Sequence, residues 1–177
     1  MNKKAVIIFL IIIVIFLCGC NSFENVTHNR EIKKEQGRVS EKIMEYIKDE
    51  DKDSLYDLFA PVNKDNCDIH EQLDGLFSKY PVNEFDFNNV VKSVAGQAES
   101  IDDGRITYYS FGYSYEGIVD KDGKNYRIDL GYIVEDKDKG RIGITSLNLS
   151  EIKIDDPEKP YQYEVIDKYE VGNSKLF

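Results

Sequence analysis

Four stretches in the second half of the chain alternate apolar and polar residues, and short acidic turns separate them. The alternating stretches cover residues 89–99, 105–118, 125–135 and 141–154. The turns combine aspartate with glycine at 102–104, 120–123 and 136–140. Connections this short allow only antiparallel neighbours, because a parallel crossover needs a dozen residues or more. The pattern therefore predicts a four-stranded antiparallel sheet.

One predicted face of the two central strands is rich in aromatic side chains. The alternate positions are Tyr109, Phe111, Tyr113 and Tyr115 on one strand, and Tyr126, Ile128, Leu130, Tyr132 and Val134 on the next. Arg127 and Asp129 alternate onto the opposite face, which predicts one buried and one wet face. Phenols on an inward face can line a cavity and bind a ligand. The pocket candidates are therefore Tyr109, Phe111, Tyr113, Tyr126 and Tyr132. The interpretation that the pattern favours, however, is that these side chains form the core, with their hydroxyls at its rim.

Three helices are predicted before the strands. The first begins at Val39 with Ser40 as a cap, and the second begins near Asp51 or Asp53 and ends at Pro61. The third begins at Asp68 with Glu71 as its capping-box partner. Its predicted inward face comprises Ile69, Leu73, Leu76, Phe77 and Tyr80. Because Gly75 costs this helix about 1 kcal/mol relative to alanine, the helix needs tertiary packing.

The N-terminus has the layout of a secretory signal peptide over residues 1–19. Lys3 and Lys4 precede an apolar run that continues to Leu17. Residues 5–19 supply only 15 positions, whereas a membrane-spanning helix needs about 20. The motif Leu17-Cys18-Gly19-Cys20 resembles the lipobox of bacterial lipoproteins. The resemblance implies cleavage before Cys20, diacylglycerol on its thiol, and a mature protein held at the extracytoplasmic face of the cell membrane. A simple cleaved signal is the alternative.

Charge excludes one class of partner. The chain carries 23 Lys and Arg against 33 Asp and Glu, a net charge of −10. Removal of residues 1–19 takes away Lys3 and Lys4 and no acid, so the mature chain is at −12. Nucleic acid is an unsuitable partner for such a chain, since Lys and Arg must neutralise its phosphates.

Candidate chemistry is sparse. Cys67 and His70 could form a nucleophilic pair at a helix start, but a small buried cysteine beside a surface histidine is the simpler interpretation. These two ligands fall short of the four of structural zinc. Asp49, Asp51 and Asp53 imitate a calcium loop without its later glycine and glutamate. The sequence therefore predicts no catalytic residue, no metal and no cofactor.

Two polar segments flank the predicted domain at 39–154. Residues 20–38 show no sustained apolar period, so we expect the lipidated cysteine to be followed by a polar tether. Residues 155–177 form a C-terminal extension, either an extra edge strand or a segment that wraps the body.

The segment SEKIMEYIKDEDKDSLYDLFAP is similar to the opening of the nuclear transport factor 2-like fold. Residues 39–154 also resemble an uncharacterised family of lipoproteins from Gram-positive bacteria that carry this domain. The resemblance implies an α+β cone, with three helices packed on a curved four-stranded antiparallel sheet and a pocket between them. It implies no particular activity. The expected function is binding of a small molecule or a protein. The alternatives are a cone-fold enzyme with a tyrosine-lined pocket and an immunity-type protein that caps a basic toxin.

Overall fold

The computed structural model describes residues 3–154 and 162–177, with side chains from residue 24 onward except that of Ser174. Residues 155–161 of the predicted C-terminal extension lie outside the described residues. The side chains of the lipobox at 17–20 also lie outside them, and only the backbone of this motif is described, as part of a helix.

Helices dominate the first half of the chain and strands the second. The helices are α1 (Lys3–Lys48), α2 (Lys52–Leu58), α3 (Pro61–Asn66) and α4 (Ile69–Lys79). The strands are β1 (Val91–Asp102), β2 (Arg105–Val119), β3 (Asn125–Glu135), β4 (Gly143–Ile154) and β5 (Tyr163–Val171). Short 3₁₀ turns cover Val82–Glu84, Lys139–Arg141 and Ser174–Leu176.

The strands form one sheet in the order β1-β2-β3-β4-β5, with every neighbouring pair antiparallel. The antiparallel prediction is confirmed, but the predicted count of four strands is wrong. The fifth strand comes from the C-terminal extension and occupies an edge of the sheet. Most of its residues are exposed or half-buried, so it lacks the strong apolar alternation that marks the central strands.

The predicted count of three helices is also wrong. Pro61 ends no helix; it stands in the first turn of α3, where its missing N–H is unneeded. Helix α3 has six residues, too few for a helical period to be read from the sequence. The prediction for α4 is confirmed, because the Asp68 carboxylate accepts a 3.0 Å hydrogen bond from the Glu71 backbone N–H. The five residues of its predicted inward face are all buried.

The predicted tether at 20–38 is instead part of α1, which runs without a break to Lys48. Ser40 is therefore interior rather than an N-cap, and its hydroxyl donates to the Gly37 carbonyl at 2.9 Å. Asn25, His28 and Gln36 hydrogen-bond to the β1–β2 turn or to β2. These polar contacts have helical spacing but no apolar period, which is why the pattern suggested a tether. Within the described part of the chain, no helix has the length and apolarity needed to cross a bilayer.

Helices pack against one face of the sheet, here called the inner face. Its core is built from aliphatic and aromatic side chains that are at most 1 % exposed: Ile43, Ile47, Leu55, Phe59, Leu73, Leu76, Ile118, Ile128, Leu147 and Leu149. Burial of each such side chain contributes about 1.5–3 kcal/mol. The other face of the sheet, the open face, is turned away from the helices.

Gly75 explains how β5 docks on α4. A Cβ atom at this position would lie 2.8 Å from Cζ of Tyr169, and nearer still to its hydroxyl oxygen. The glycine therefore leaves room for the Tyr169 ring over the helix. Close packing of β5 compensates the low helix propensity of glycine at this position.

We expect Gly75→Ala to lower the free energy of unfolding by about 1–3 kcal/mol, because the added methyl overpacks against Tyr169. Urea denaturation followed by circular dichroism measures the change. Gly37→Ala in α1 is the matched control, since its Cβ would meet nothing within 4 Å. The control should be neutral or stabilising. Equal stability of the two variants would show that Gly75 has no packing role.

Candidate functional site

All five pocket candidates lie in the core on the inner face, with exposures from 1 % for Tyr109 to 9 % for Tyr132. Phe111 stacks on Tyr132 with ring centroids 5.5 Å apart. Tyr126 stacks on Phe85 at 4.3 Å. The candidates therefore pack against one another and against the first half of the chain.

A single side-chain amide of α1, that of Gln36, hydrogen-bonds the hydroxyls of two pocket candidates. Tyr109 donates to Oε1 of Gln36 at 2.6 Å, and Nε2 of Gln36 donates to the Tyr113 hydroxyl at 2.7 Å. The third phenol, Tyr126, donates to the Asp120 carboxylate at 2.9 Å. Buried polar groups need such partners, so these hydroxyls serve packing.

Protonation is also fixed on the inner face. Burial raises the pKa of Tyr109, Tyr113 and Tyr132, and it raises the pKa of Tyr115 to about 12. Burial, followed by the bond to Asp120, raises the pKa of Tyr126. Because all these phenols stay protonated at neutral pH, they are hydrogen-bond donors rather than bases.

Lys92 of β1 packs against the tyrosines of the inner face. Its Nζ donates to the Ser40 hydroxyl at 2.7 Å and lies 3.8 Å from the ring centroid of Tyr113. Partial burial lowers the pKa of Lys92. The ammonium therefore joins α1 to the β1–β2 pair by a hydrogen bond and a cation–π contact.

The open face carries a row of glycines across three adjacent strands. Gly96 of β1 pairs with Gly112 of β2, and Gly112 pairs with Gly131 of β3. The next partner along this glycine row is Ser146 of β4. Three missing side chains leave the backbone uncovered and create a depression across the strands.

This depression is a groove of about 320 Å³, the open-face groove. Besides the glycine row it is lined by the open-face residues Ala98, Tyr108, Ser110, Ile133, Thr145 and Phe177, and by Gln97, Phe111 and Tyr132, whose side chains alternate onto the inner face. No acidic, basic or histidine side chain is among these residues. Hydroxyl groups of the lining stand beside apolar surface, a combination that is common in small-ligand sites.

An ionic cluster lies on the same face, two residues further along the strands. Arg127 donates to the carboxylates of Asp129 and Glu116, each at 2.8 Å, and to the Ser114 hydroxyl at 2.8 Å. Tyr163 of β5 also contacts this guanidinium. Two carboxylates thus satisfy one guanidinium, and Asp129 lies opposite the inner-face tyrosines. This Arg127 cluster ties β2, β3 and β5 together and borders the open-face groove.

Cys67 and His70 line one depression, but the imidazole of His70 is engaged with an aromatic ring. His70 stacks on Tyr56 at a centroid distance of 3.8 Å. Lys64 approaches the same tyrosine ring at 4.7 Å. The imidazole is thus a packing partner, and Cys67 is half-buried at the end of α3.

The acidic run at 49–53 caps a helix. The Asp51 carboxylate accepts from the Ser54 backbone N–H at 3.1 Å and begins α2. Among the described residues, no group of three or more His, Cys, Asp or Glu side chains could hold a metal ion.

Sequence reasoning missed the glycine row, although a signal was present. Gly96 and Gly112 each lie eight residues from Gly104 in the intervening turn. Gly112 and Gly131 likewise lie at equal distances on either side of the 120–123 turn. In an antiparallel hairpin, equal distances from the turn place residues side by side. The turn positions therefore predict that these glycines pair across the strands. The apolar pattern indicates only the buried inner face, so the glycine row on the open face was missed.

Fold and site together define a small α+β protein, with helices on one face of a five-stranded antiparallel sheet and a glycine-floored groove on the other. The chain belongs to the family described as Domain of unknown function (DUF5104), whose model matches residues 42–155. That match includes the whole glycine row and ends before β5. No curated protein matches the chain.

Substitution of alanine for the glycines of the open-face groove should affect stability differently at different positions. A Cβ at Gly131 would lie 2.6 Å from Oγ1 of Thr145, whereas one at Gly112 would meet nothing closer than 3.5 Å. We expect Gly131→Ala to lower the free energy of unfolding by about 1–3 kcal/mol, with Gly112→Ala as the near-neutral control. Thermal unfolding compares the two. Adding Thr145→Ala to Gly131→Ala should recover part of the loss, and no recovery would contradict the steric explanation.

Proposed function

We propose that this protein is a lipid-anchored, extracytoplasmic module that binds an uncharged ligand in the open-face groove. Cleavage before Cys20 and attachment of diacylglycerol to its thiol would hold the domain at the cell membrane. The sequence Leu17-Cys18-Gly19-Cys20 after an apolar run supports the anchor. Two acyl chains supply the two hydrophobic signals that stable attachment requires.

The glycine row is the observation that carries the binding proposal. Glycine weakens a strand interior, so each glycine of the row needs a compensating reason. Contact with Thr145 explains Gly131, whereas a Cβ at Gly96 would meet nothing within 4 Å and one at Gly112 nothing closer than 3.5 Å, and close approach of a ligand is a reason for these two. Ser110 and Thr145 offer hydroxyl groups, while Tyr108 and Phe177 offer aromatic surface. This lining suits a small ligand with a flat apolar body and a few hydroxyl or carbonyl groups.

The groove chemistry favours binding over catalysis. General acid–base catalysis needs a titratable group within hydrogen-bond reach of the reacting atom. The groove lining has no carboxylate, imidazole or amine side chain, and the inner-face phenols are held protonated. A cone-fold enzyme with a tyrosine-lined pocket is therefore the less supported alternative.

We also propose that the domain is a variant of the nuclear transport factor 2-like cone. Support comes from the order of helices before sheet, the helices on one face only, and bulges in every strand pair. Bulges bend strands and curve a sheet. In this variant the inner-face aromatics fill the space between sheet and helices, and the ligand site moves to the open face.

The anchor proposal has a direct test at Cys20. Cells given radiolabelled palmitate should label the wild-type protein and leave Cys20→Ser unlabelled, because that substitution removes the acylated thiol. Cys18→Ser is the matched control and should retain the label, since residue 18 leaves with the signal peptide. Labelled Cys20→Ser, or an unlabelled wild type, would overturn the anchor.

The binding proposal is tested with a set of uncharged aromatic and monosaccharide fragments. Binding should shift the amide resonances of Gly96, Gly112 and Gly131. Gly96→Val should weaken binding about tenfold, or about 1.4 kcal/mol, by filling the groove. Its Cβ meets nothing within 4 Å, so the fold should persist.

Gly37→Ala, on α1 and away from the groove, should leave fragment affinity unchanged. Fragments that bind Gly96→Val as well as they bind the wild type would place the ligand site elsewhere.

A further inference from the structure

The N-terminal part of the mature chain is attached to the end of one hairpin. Asn25 donates through Nδ2 to the Asp103 carbonyl at 2.9 Å, and Asn29 donates to the Gly104 carbonyl at 3.0 Å. Asn29 also accepts from the Ile106 backbone N–H at 2.8 Å. A side-chain amide that bonds two backbone groups of a turn holds that turn in a defined position on the helix.

Further contacts follow along α1 toward its C-terminus, so the attachment to the hairpin extends over several helical turns. His28 hydrogen-bonds the Ile106 carbonyl at 3.1 Å, and Lys33 pairs with Glu99 at 3.2 Å. Ile32 is only 6 % exposed. Further on, Gln36 binds Tyr109 and Tyr113. Helix α1 therefore runs along β2 in the same direction as the strand, from the β1–β2 turn upward.

Little chain remains between this attachment and the predicted anchor. Cys20 lies in the same helix, five residues before Asn25. At 1.5 Å per residue the two Cα atoms are about 7–8 Å apart along the helix axis. Even if these residues were fully extended, the separation would be at most about 18 Å.

We propose that the β1–β2 turn, with its flanking residues 102–105, is the lipid-facing end of the domain, which sits against the membrane in a defined orientation. This inference rests on the lipid anchor proposed above. The anchor at Cys20 can lie no further from the turn than a few residues of chain allow. The opposite end of β2, with the 120–123 turn, then points away from the lipid.

The geometry sets the height of the open-face groove. Strand β2 has fifteen residues, so its two ends are at most about 45–50 Å apart at 3.2–3.4 Å per residue. Gly112 lies midway along β2, which places the groove at most about 23 Å along the strand from the lipid-facing turn. A ligand in the periplasmic or wall space could reach the groove without contact with the bilayer.

Charge keeps this end at the surface of the lipid rather than in it. Glu24, Asp102 and Asp103 lie with Arg105 around one depression at the turn. Anionic headgroups repel such an acidic end within a Debye length of about 10 Å at 0.1 M salt. The turn is therefore held near the headgroups by the anchor and is not inserted among the acyl chains.

The test compares two labelled positions on the full-length acylated protein. In a Cys67→Ser background, Asp102→Cys and Asp122→Cys each carry a bimane fluorophore, and the protein is reconstituted in phosphatidylglycerol–phosphatidylcholine vesicles. Both side chains are exposed, and they lie at opposite ends of β2. Lipids with a headgroup nitroxide should quench the label at 102 severalfold more than the label at 122.

A third protein has twenty Gly and Ser residues inserted between Asn21 and Ser22, with the label at 102. The insertion should abolish the extra quenching while the protein still floats with the vesicles. Flotation with equal quenching at 102 and 122 would overturn the orientation and leave the anchor standing. If the protein that lacks the insertion does not float with the vesicles, both the anchor and the orientation are overturned.

Discussion

Backbone pairing of β2 with β1 and β3 is the constraint on which the rest of the structure depends. Short turns set the register, and the register decides which side chains share a face. It places Tyr109, Phe111 and Tyr113 under the helices and aligns Gly96, Gly112 and Gly131 on the opposite face. A shift of one residue would expose the aromatics and bury the polar residues. Core and groove are therefore two consequences of the same hydrogen-bond pattern.

Helix α1 completes the sheet by satisfying its polar groups. Tyrosine is bulky enough to fill the inner face, but each buried hydroxyl requires a partner. Gln36 serves two of them from α1, and Asp120 serves a third from a turn. This arrangement leaves the inner face packed and its phenols protonated. The open face, by contrast, keeps space where side chains are missing, and it is there that a ligand can approach the backbone.

Sequence patterns predicted the parts of this protein whose burial is apolar. The central strands, the cap of α4 and the inward face of that helix were predicted because apolar residues recur with the period of the element. The segment 24–38 was misjudged for the converse reason. Its hydrogen bonds and its ion pair with the β1–β2 hairpin are made by amides, an imidazole and one lysine. Polar residues at helical spacing look the same in a sequence whether they bind a neighbouring strand or water.

By itself the sequence determined the class of fold and the antiparallel order of the central strands, and it is the basis of the proposed anchor at residues 17–20. These features follow from local periods, turn chemistry and a short linear motif, none of which needs knowledge of distant contacts. Only the tertiary structure decided that the tyrosines are core, that β5 joins the edge over Gly75, and that three glycines share one row. It also decided that the chain after Cys20 is a packed helix and not a tether. The physical reason is common to all four, since each depends on partners far away in the chain that local residue patterns do not reveal.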